Sequence, residues 1–136
     1  LDEIFKKEVR PKIITPTFVT AYPSSLMQLA KFQENDPSLT ESFQLIVNGV
    51  EIAKGFSEMN DPVLQRRQME GQEAEYRKGN EEKPRLDEDF LEALEHGMPP
   101  TAGMGIGIDR LVALVTNSHA IKEIIAFPTL KPKSKE

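Results

Sequence analysis

The clearest pattern of apolar and polar positions is Gly103-Met104-Gly105-Ile106-Gly107-Ile108, where glycine holds every second place before Asp109-Arg110-Leu111. Strict alternation predicts a strand, and the glycines strip one of its faces of side chains. Asp109 is expected to cap the helix that Leu111 to Val115 begins, with Arg110 in its first turn. Glu41 to Val47 reads as a second strand and Val50 to Ser57 as its antiparallel return. Asn48-Gly49 between them is a strong hairpin signal, because both turn positions need positive φ. Lys12 to Thr20 is rich in β-branched residues but interrupted by Pro16, so it predicts an edge or bulged strand.

Helical signals fill the spaces between. Asp2 to Val9 reads as the end of a helix. Asp61-Pro62 supplies a cap and a first helical residue for a charged surface helix over Val63 to Lys78, whose acidic and basic residues read as a solvated face. A polar loop is expected from Gly79 to Arg85. Asp87 to His96 predicts a short amphipathic helix with Phe90, Leu91 and Leu94 inward and Gly97 as its stop. Ile121 to Phe127 reads as a short helix, and Lys131 to Glu136 as a frayed tail. The pattern predicts an α+β fold, an antiparallel sheet with the glycine strand beside the hairpin and helices packed on one side.

Composition narrows the class of function. The 136 residues can bury a core, and 38% hydrophobic content is ordinary for a globular domain. A net charge of −5 argues against a general nucleic-acid surface. The absence of cysteine excludes disulfides and Cys-ligated zinc. No apolar run approaches the roughly 18 residues of a membrane span, and Leu1 to Arg10 is too charged for a signal peptide, so a cytoplasmic location is expected.

The bare glycine strand is a candidate floor for a planar ligand, and Arg110 beside it is a permanent cation for phosphates. The alternative is that the glycines let a helix pack closely. It is not a dinucleotide fingerprint, since all three glycines keep period two, and no Gly-Lys-Ser/Thr follows to make a Walker loop. Two carboxylates carry the remaining chemistry, Glu51 and Glu58, seven residues apart on the return strand. On a regular strand that odd spacing puts them on opposite faces. They converge only if the strand is bulged between them, with Gly55 or the Ile52-Ala53-Lys54 step as the natural place. Converged, they can share a Mg²⁺ that bridges nucleotide phosphates; otherwise they are exposed hairpin carboxylates. Phe56 is a core aromatic or a cover for an aliphatic substrate stem. His96 and His119 have no second ligand at metal-binding spacing.

Several of these segments together resemble the C-terminal part of the catalytic domain of class II lysyl-tRNA synthetases. The glycine strand with Asp109-Arg110 is similar to that class's motif 3, and Val50-Glu51-Ile52-Ala53-Lys54-Gly55-Phe56-Ser57-Glu58-Met59-Asn60-Asp61-Pro62 to the lysine group's substrate strand. Pro16-Thr17-Phe18-Val19 with Tyr22-Pro23, Leu29-Ala30-Lys31, Ala93-Leu94-Glu95-His96-Gly97, Pro99-Pro100-Thr101-Ala102-Gly103 and Thr116-Asn117-Ser118 match as well. The resemblance runs from about Ile13 to Pro132, which divides the chain into a partial catalytic domain over 1–130 and a tail over 131–136. Motif 1, which builds the dimer interface, motif 2, which carries an arginine for the α-phosphate, and an anticodon-binding barrel are not visible in this sequence. The chain is therefore expected to be a fragment, inactive alone, of an enzyme that is a homodimer when intact.

The resemblance implies ATP, L-lysine and tRNA(Lys) as partners and Mg²⁺ as the cofactor. It places ATP against Glu51, Glu58, Gly105, Gly107 and Arg110, with Arg110 meeting the γ-phosphate. It places lysine against Lys54, Phe56, Glu58 and Gly105, and the metal on Glu51 and Glu58. Glu51, Glu58 and Arg110 are then the catalytic residues, and Glu58 also receives the lysine ε-ammonium. Position 54 departs from the family, which has Asn there facing the substrate carboxylate. Lys54 can pair with that carboxylate or form an ion pair with Glu58. Met27-Gln28 departs too, from a usual Ser-Pro. The activity implied is adenylation of lysine by ATP and transfer of the lysyl group to tRNA. A lysine ligase acting on a protein without tRNA is the alternative within the fold, and a non-catalytic interaction module the alternative outside enzymes.

Overall fold

In a computed structural model of the chain, residues 1–77 and 86–129 are described. The expected loop over Gly79–Arg85 and tail over Lys131–Glu136 lie outside these residues. The hairpin forms where the Asn-Gly signal puts it, with β2 over Ser42–Val47 and β3 over Val50–Ser57. Asn48 and Gly49 both take the left-handed conformation, φ 49° and 74°, giving the turn whose twist matches antiparallel strands. Gly49 is also closely approached, since a Cβ there would lie 3.2 Å from the Pro11 Cα. The turn docks on the chain before β1, its two amides donating to the carbonyls of Ile14 and Ile13.

The other two strands flank the hairpin. β1 covers Thr17–Thr20 and β4 covers Ala102–Ile106, giving an all-antiparallel sheet in the order β1-β2-β3-β4. The expected strand from Lys12 is shorter than predicted: Arg10–Lys12 form a 3-10 turn, and Pro16, without an amide hydrogen to give the ladder, stands just before the edge strand. That turn closes a helical run which starts as α1, Asp2–Ile4, and continues through a π-helical turn at Phe5–Val9.

Asp61 caps α2, Pro62–Arg77, by accepting the amides of Val63 and Leu64 at 2.9 and 3.0 Å. This helix is less of a surface element than its charge predicts, because Gln65, Met69 and Gln72 along one side are buried. Asp87 caps α3, Glu88–Glu95, through the Phe90 amide. Leu91 and Leu94 point inward as expected, but Phe90 stays 43% exposed, so the buried stripe is narrower than predicted. Gly97 follows the helix at φ 112°.

Beyond β4, α4 spans Ile108–Val115. The expectation that Asp109 caps it is corrected. Gly107 is the N-cap, the helix starts one residue before Asp109, and no side chain closes its first turn. The strand accordingly ends at Ile106. The helix expected over Ile121–Phe127 is a single 3-10 turn, Ile121–Glu123.

The segment between β1 and β2 folds over one face of the sheet. Its Tyr22, Met27 and Ala30 are buried there, with Phe5, Val19 and Phe56 packed against them and the Phe5 and Tyr22 rings edge to face at 6.1 Å. It is pinned on both sides, Lys31 giving its amide to the Ser57 carbonyl and the Met59 amide going to Leu29. The end of β3 is thereby held between this segment and β4.

Candidate active site

The site is built by one irregularity in β3. Leu45 pairs with Ala53 but Ile46 pairs with Glu51, so Ile52 is an extra residue without a partner, and the register slips by one. The bulge falls at the start of the Ile52-Ala53-Lys54 step and not at Gly55, whose open side is filled by the Phe43 ring. Across the ladder Ser42, Gln44 and Ile46, alternate residues of β2, face Phe56, Lys54 and Glu51 in turn. The slip therefore brings Glu51 onto the face of Lys54 and Phe56, which a regular strand would deny it. Gly105 and Gly103 of β4 stand opposite Lys54 and Phe56 on that same face.

Glu58 joins them just past the end of β3. Its amide donates to the Thr101 carbonyl, and its main chain pairs with Ala30 on the other side. Its side chain lies back across β4, so that a Cβ on Gly103 would come within 2.7 Å of its Oε1. Among the described residues this half-buried carboxylate has no hydrogen-bond or ion-pair partner. Lys54 does not supply one. A cleft of 260 Å³ lined by Lys31, Glu58, Asn60 and Thr101 opens beside it, and another of 210 Å³ lies between Lys54, Phe56 and the 26–30 segment.

Glu51 is held where Glu58 is free. Its Oε2 accepts the Gln44 side-chain amide at 2.7 Å, and the oxygen of that amide accepts the Tyr22 hydroxyl. Both supporting residues are buried. Burial, and after it the Glu51 charge, pushes the Tyr22 phenol up to about 12, which keeps it a donor. The main chain of Glu51 is fixed too, since Arg110 Nη1 donates to its carbonyl at 2.9 Å and the Gly107 amide to that of Ile52. Tyr22 and Gln44 were not legible as site residues, because a buried Tyr and a strand Gln carry no motif; Tyr-Pro at 22–23 was the only hint.

The glycines differ in what lies over them. Gly105 is bare, the nearest atom to a Cβ there being the Lys54 carbonyl oxygen at 3.9 Å. Gly107 lies beyond the strand and is covered by the stem of Arg110, whose Cδ would be 3.3 Å from a Cβ. Gly103 is the seat of Glu58. The flat floor is thus one residue wide, with a carboxylate at one end and a guanidinium at the other.

Two carboxylates are within the site, and no group of three or more His, Cys, Asp or Glu that could hold a metal occurs among the described residues. One oxygen of Glu51 is already engaged by Gln44. The shared metal expected from the sequence is corrected: Glu51 and Glu58 lie on one face, but their Cα atoms stand about 20 Å apart along the strand, so they do not share one ion, and Glu51 with substrate phosphates and water is the donor set that fits Mg²⁺. His96 ends α3, and His119 gives its amide to Glu123 and lines a 290 Å³ cleft together with Arg110 and Ile52. No helix of the described residues is long and apolar enough to cross a membrane.

The chain is similar in sequence to known proteins. The chain is 50% identical over 133 residues to a lysine–tRNA ligase of Moorella thermoacetica, 48% over 134 to that of Aliarcobacter butzleri and 50% over 132 to that of Helicobacter pylori. These alignments take in 98%, 98% and 97% of this chain but only 27%, 27% and 26% of the relatives, so the chain spans about a quarter of their length. The family model for tRNA synthetases class II (D, K and N) matches residues 3–131. With its antiparallel sheet, bare glycine strand and arginine-bearing helix, the chain belongs to the class II tRNA synthetases of the D, K and N group.

Proposed function

We propose that this face is the lysine and nucleotide half of an adenylating site, and that the protein acts as a lysine–tRNA ligase. The reading rests above all on the bulge at Ile52, which puts Glu51 on the face of Lys54 and Phe56 beside Gly105, with Glu58 lying across Gly103. Relatives named for that activity, at about half identity over nearly the whole chain, support it.

In this reading the lysine lies along β3. Phe56 covers its methylene stem and Glu58, a half-buried carboxylate without a partner among the described residues, takes its ε-ammonium. A substrate without the ammonium leaves Glu58 uncompensated, which is the basis of selectivity. Lys54 lies on the same face without an ion pair and holds the substrate carboxylate. That carboxylate is ionised at neutral pH and attacks the α-phosphorus directly; a bond forms to its oxygen, the bond to pyrophosphate breaks, and no general base is needed. Catalysis is then positioning and charge stabilisation. Arg110 supplies a cation for the γ-phosphate, and Gly105 and Gly107 the surface on which the nucleotide lies. Glu51, fixed by Gln44 and Tyr22, directs its free oxygen to the metal side. Glu51, with phosphate oxygens and water, would hold Mg²⁺, which would supply charge neutralisation at the leaving group.

The lysyl group would pass from the adenylate to tRNA(Lys), and the intact enzyme would be a cytoplasmic homodimer. ATP–pyrophosphate exchange by the intact enzyme tests the reading. Exchange that depends on lysine is expected; exchange absent with lysine present would leave the face a binding surface only.

A further inference from the structure

We infer that Gly103 sets the length of the amino-acid site, by letting the Glu58 carboxylate sink onto the backbone of β4. The inference rests on Glu58 as the acceptor of the lysine ammonium. Glu58 cannot move by shifting its main chain, since its amide is bonded to Thr101 and the residues on both sides of it are bonded to Leu29 and Lys31. Its side chain alone decides where the charge sits. That side chain takes the space a Cβ on Gly103 would fill, 2.7 Å from Oε1 and 3.9 Å from Cδ. The two neighbouring glycines have no such occupant: Gly105 is open and Gly107 faces Arg110.

A methyl group at position 103 must push the carboxylate away from β4 by about 0.7 Å to reach ordinary contact. The displaced carboxylate moves into the site and shortens it. Lysine should then fit worse and ornithine, one methylene shorter, relatively better. The backbone itself gains from the change, because Gly103 is not at positive φ and alanine is preferred to glycine inside a strand. Loss of lysine affinity without loss of stability is therefore the signature of displaced charge and not of damaged packing.

The test uses the intact enzyme and calorimetric titration of lysine and ornithine into wild type, Gly103→Ala and Glu58→Gln, with thermal melting of each. For Gly103→Ala we expect the ratio of lysine to ornithine affinity to fall at least tenfold while the melting temperature is unchanged or higher. A wild-type ratio, or a drop in affinity for both amino acids with a matching drop in melting temperature, overturns the inference. Glu58→Gln separates the two levels: if it keeps wild-type lysine affinity, the role of Glu58 itself is wrong, whereas if it loses lysine and Gly103→Ala does not, only the seat is wrong. Should Gly103→Ala fail to fold, Glu58→Asp carries the test in the opposite sense. Its carboxylate withdraws and lengthens the site, so preference should move from lysine toward homolysine, and an unmoved preference overturns the inference.

Discussion

Replacing Arg110 by alanine separates a catalytic from a structural role. In the structure Arg110 is exposed, and it makes one hydrogen bond, from Nη1 to the Glu51 carbonyl, besides laying its stem over Gly107. A single exposed bond of that kind contributes about 1 kcal/mol to stability at most. If the same guanidinium meets the phosphates mainly in the transition state, its loss costs about 2 to 4 kcal/mol there, a fall of roughly thirty- to nine-hundredfold in rate. Initial rates of ATP–pyrophosphate exchange by the intact enzyme measure the second quantity, and urea denaturation the first. The reasoning predicts a large kinetic loss beside a small shift in the denaturation midpoint, and Arg110→Lys recovering only part of it, since a point charge lacks the planar fork. Unchanged exchange kinetics would refute it, and so would a loss of stability as large as the loss in transition-state energy.

Three further changes probe separate parts of the account. Asp61→Ala removes the acceptor for two amides at the start of α2 and should cost about 1 kcal/mol in denaturant unfolding; no change would show the cap to be idle. Lys54→Asn should weaken lysine binding, because Lys54 makes no ion pair with Glu58 and is free to hold the substrate carboxylate; tighter binding in a calorimetric titration would mean that Lys54 competes with the substrate instead. The Tyr22 phenol, pushed up to about 12 from 10.0, favours the folded state only while protonated. Its contribution is intact below pH 10 and is lost as the pH rises toward 12, so melting temperatures should fall in that window and Tyr22→Phe should flatten the fall.

Much of the fold was legible because its signals are local. The turn at Asn48-Gly49, the cap at Asp61 and the alternation in β4 need only neighbours in sequence to be read. That Glu51 shares a face with Lys54 and Phe56 could be stated only as a condition, since a bulge depends on how two strands settle against each other. Composition pointed to Gly55 as readily as to Ile52. The partner strand decided it, because the Phe43 ring fills the space over Gly55. Asp109 looked like a cap by residue type, yet the helix began earlier, where Gly107 turns the chain under Arg110. Phe90 and the last predicted helix failed for the same reason, that apolar residues do not reveal which of them find cover. Gln44 and Tyr22 escaped notice because their roles arise from contacts across 7 residues of sequence, Gln44 to Glu51, and 22, Tyr22 to Gln44, which no spacing rule marks.

The central claim is that the Glu58 carboxylate at the end of β3 recognises the lysine ammonium in an adenylation site. Lysine-dependent ATP–pyrophosphate exchange, measured over a range of lysine concentrations for the intact enzyme and for Glu58→Gln, tests it most directly. Glu58→Gln keeps the shape and removes the charge, so the ammonium should lose about 2 to 5 kcal/mol of binding, seen as a rise of thirtyfold or more in the lysine concentration needed for half-maximal exchange. A wild-type lysine dependence in Glu58→Gln would contradict the claim and move recognition of the ammonium to another residue.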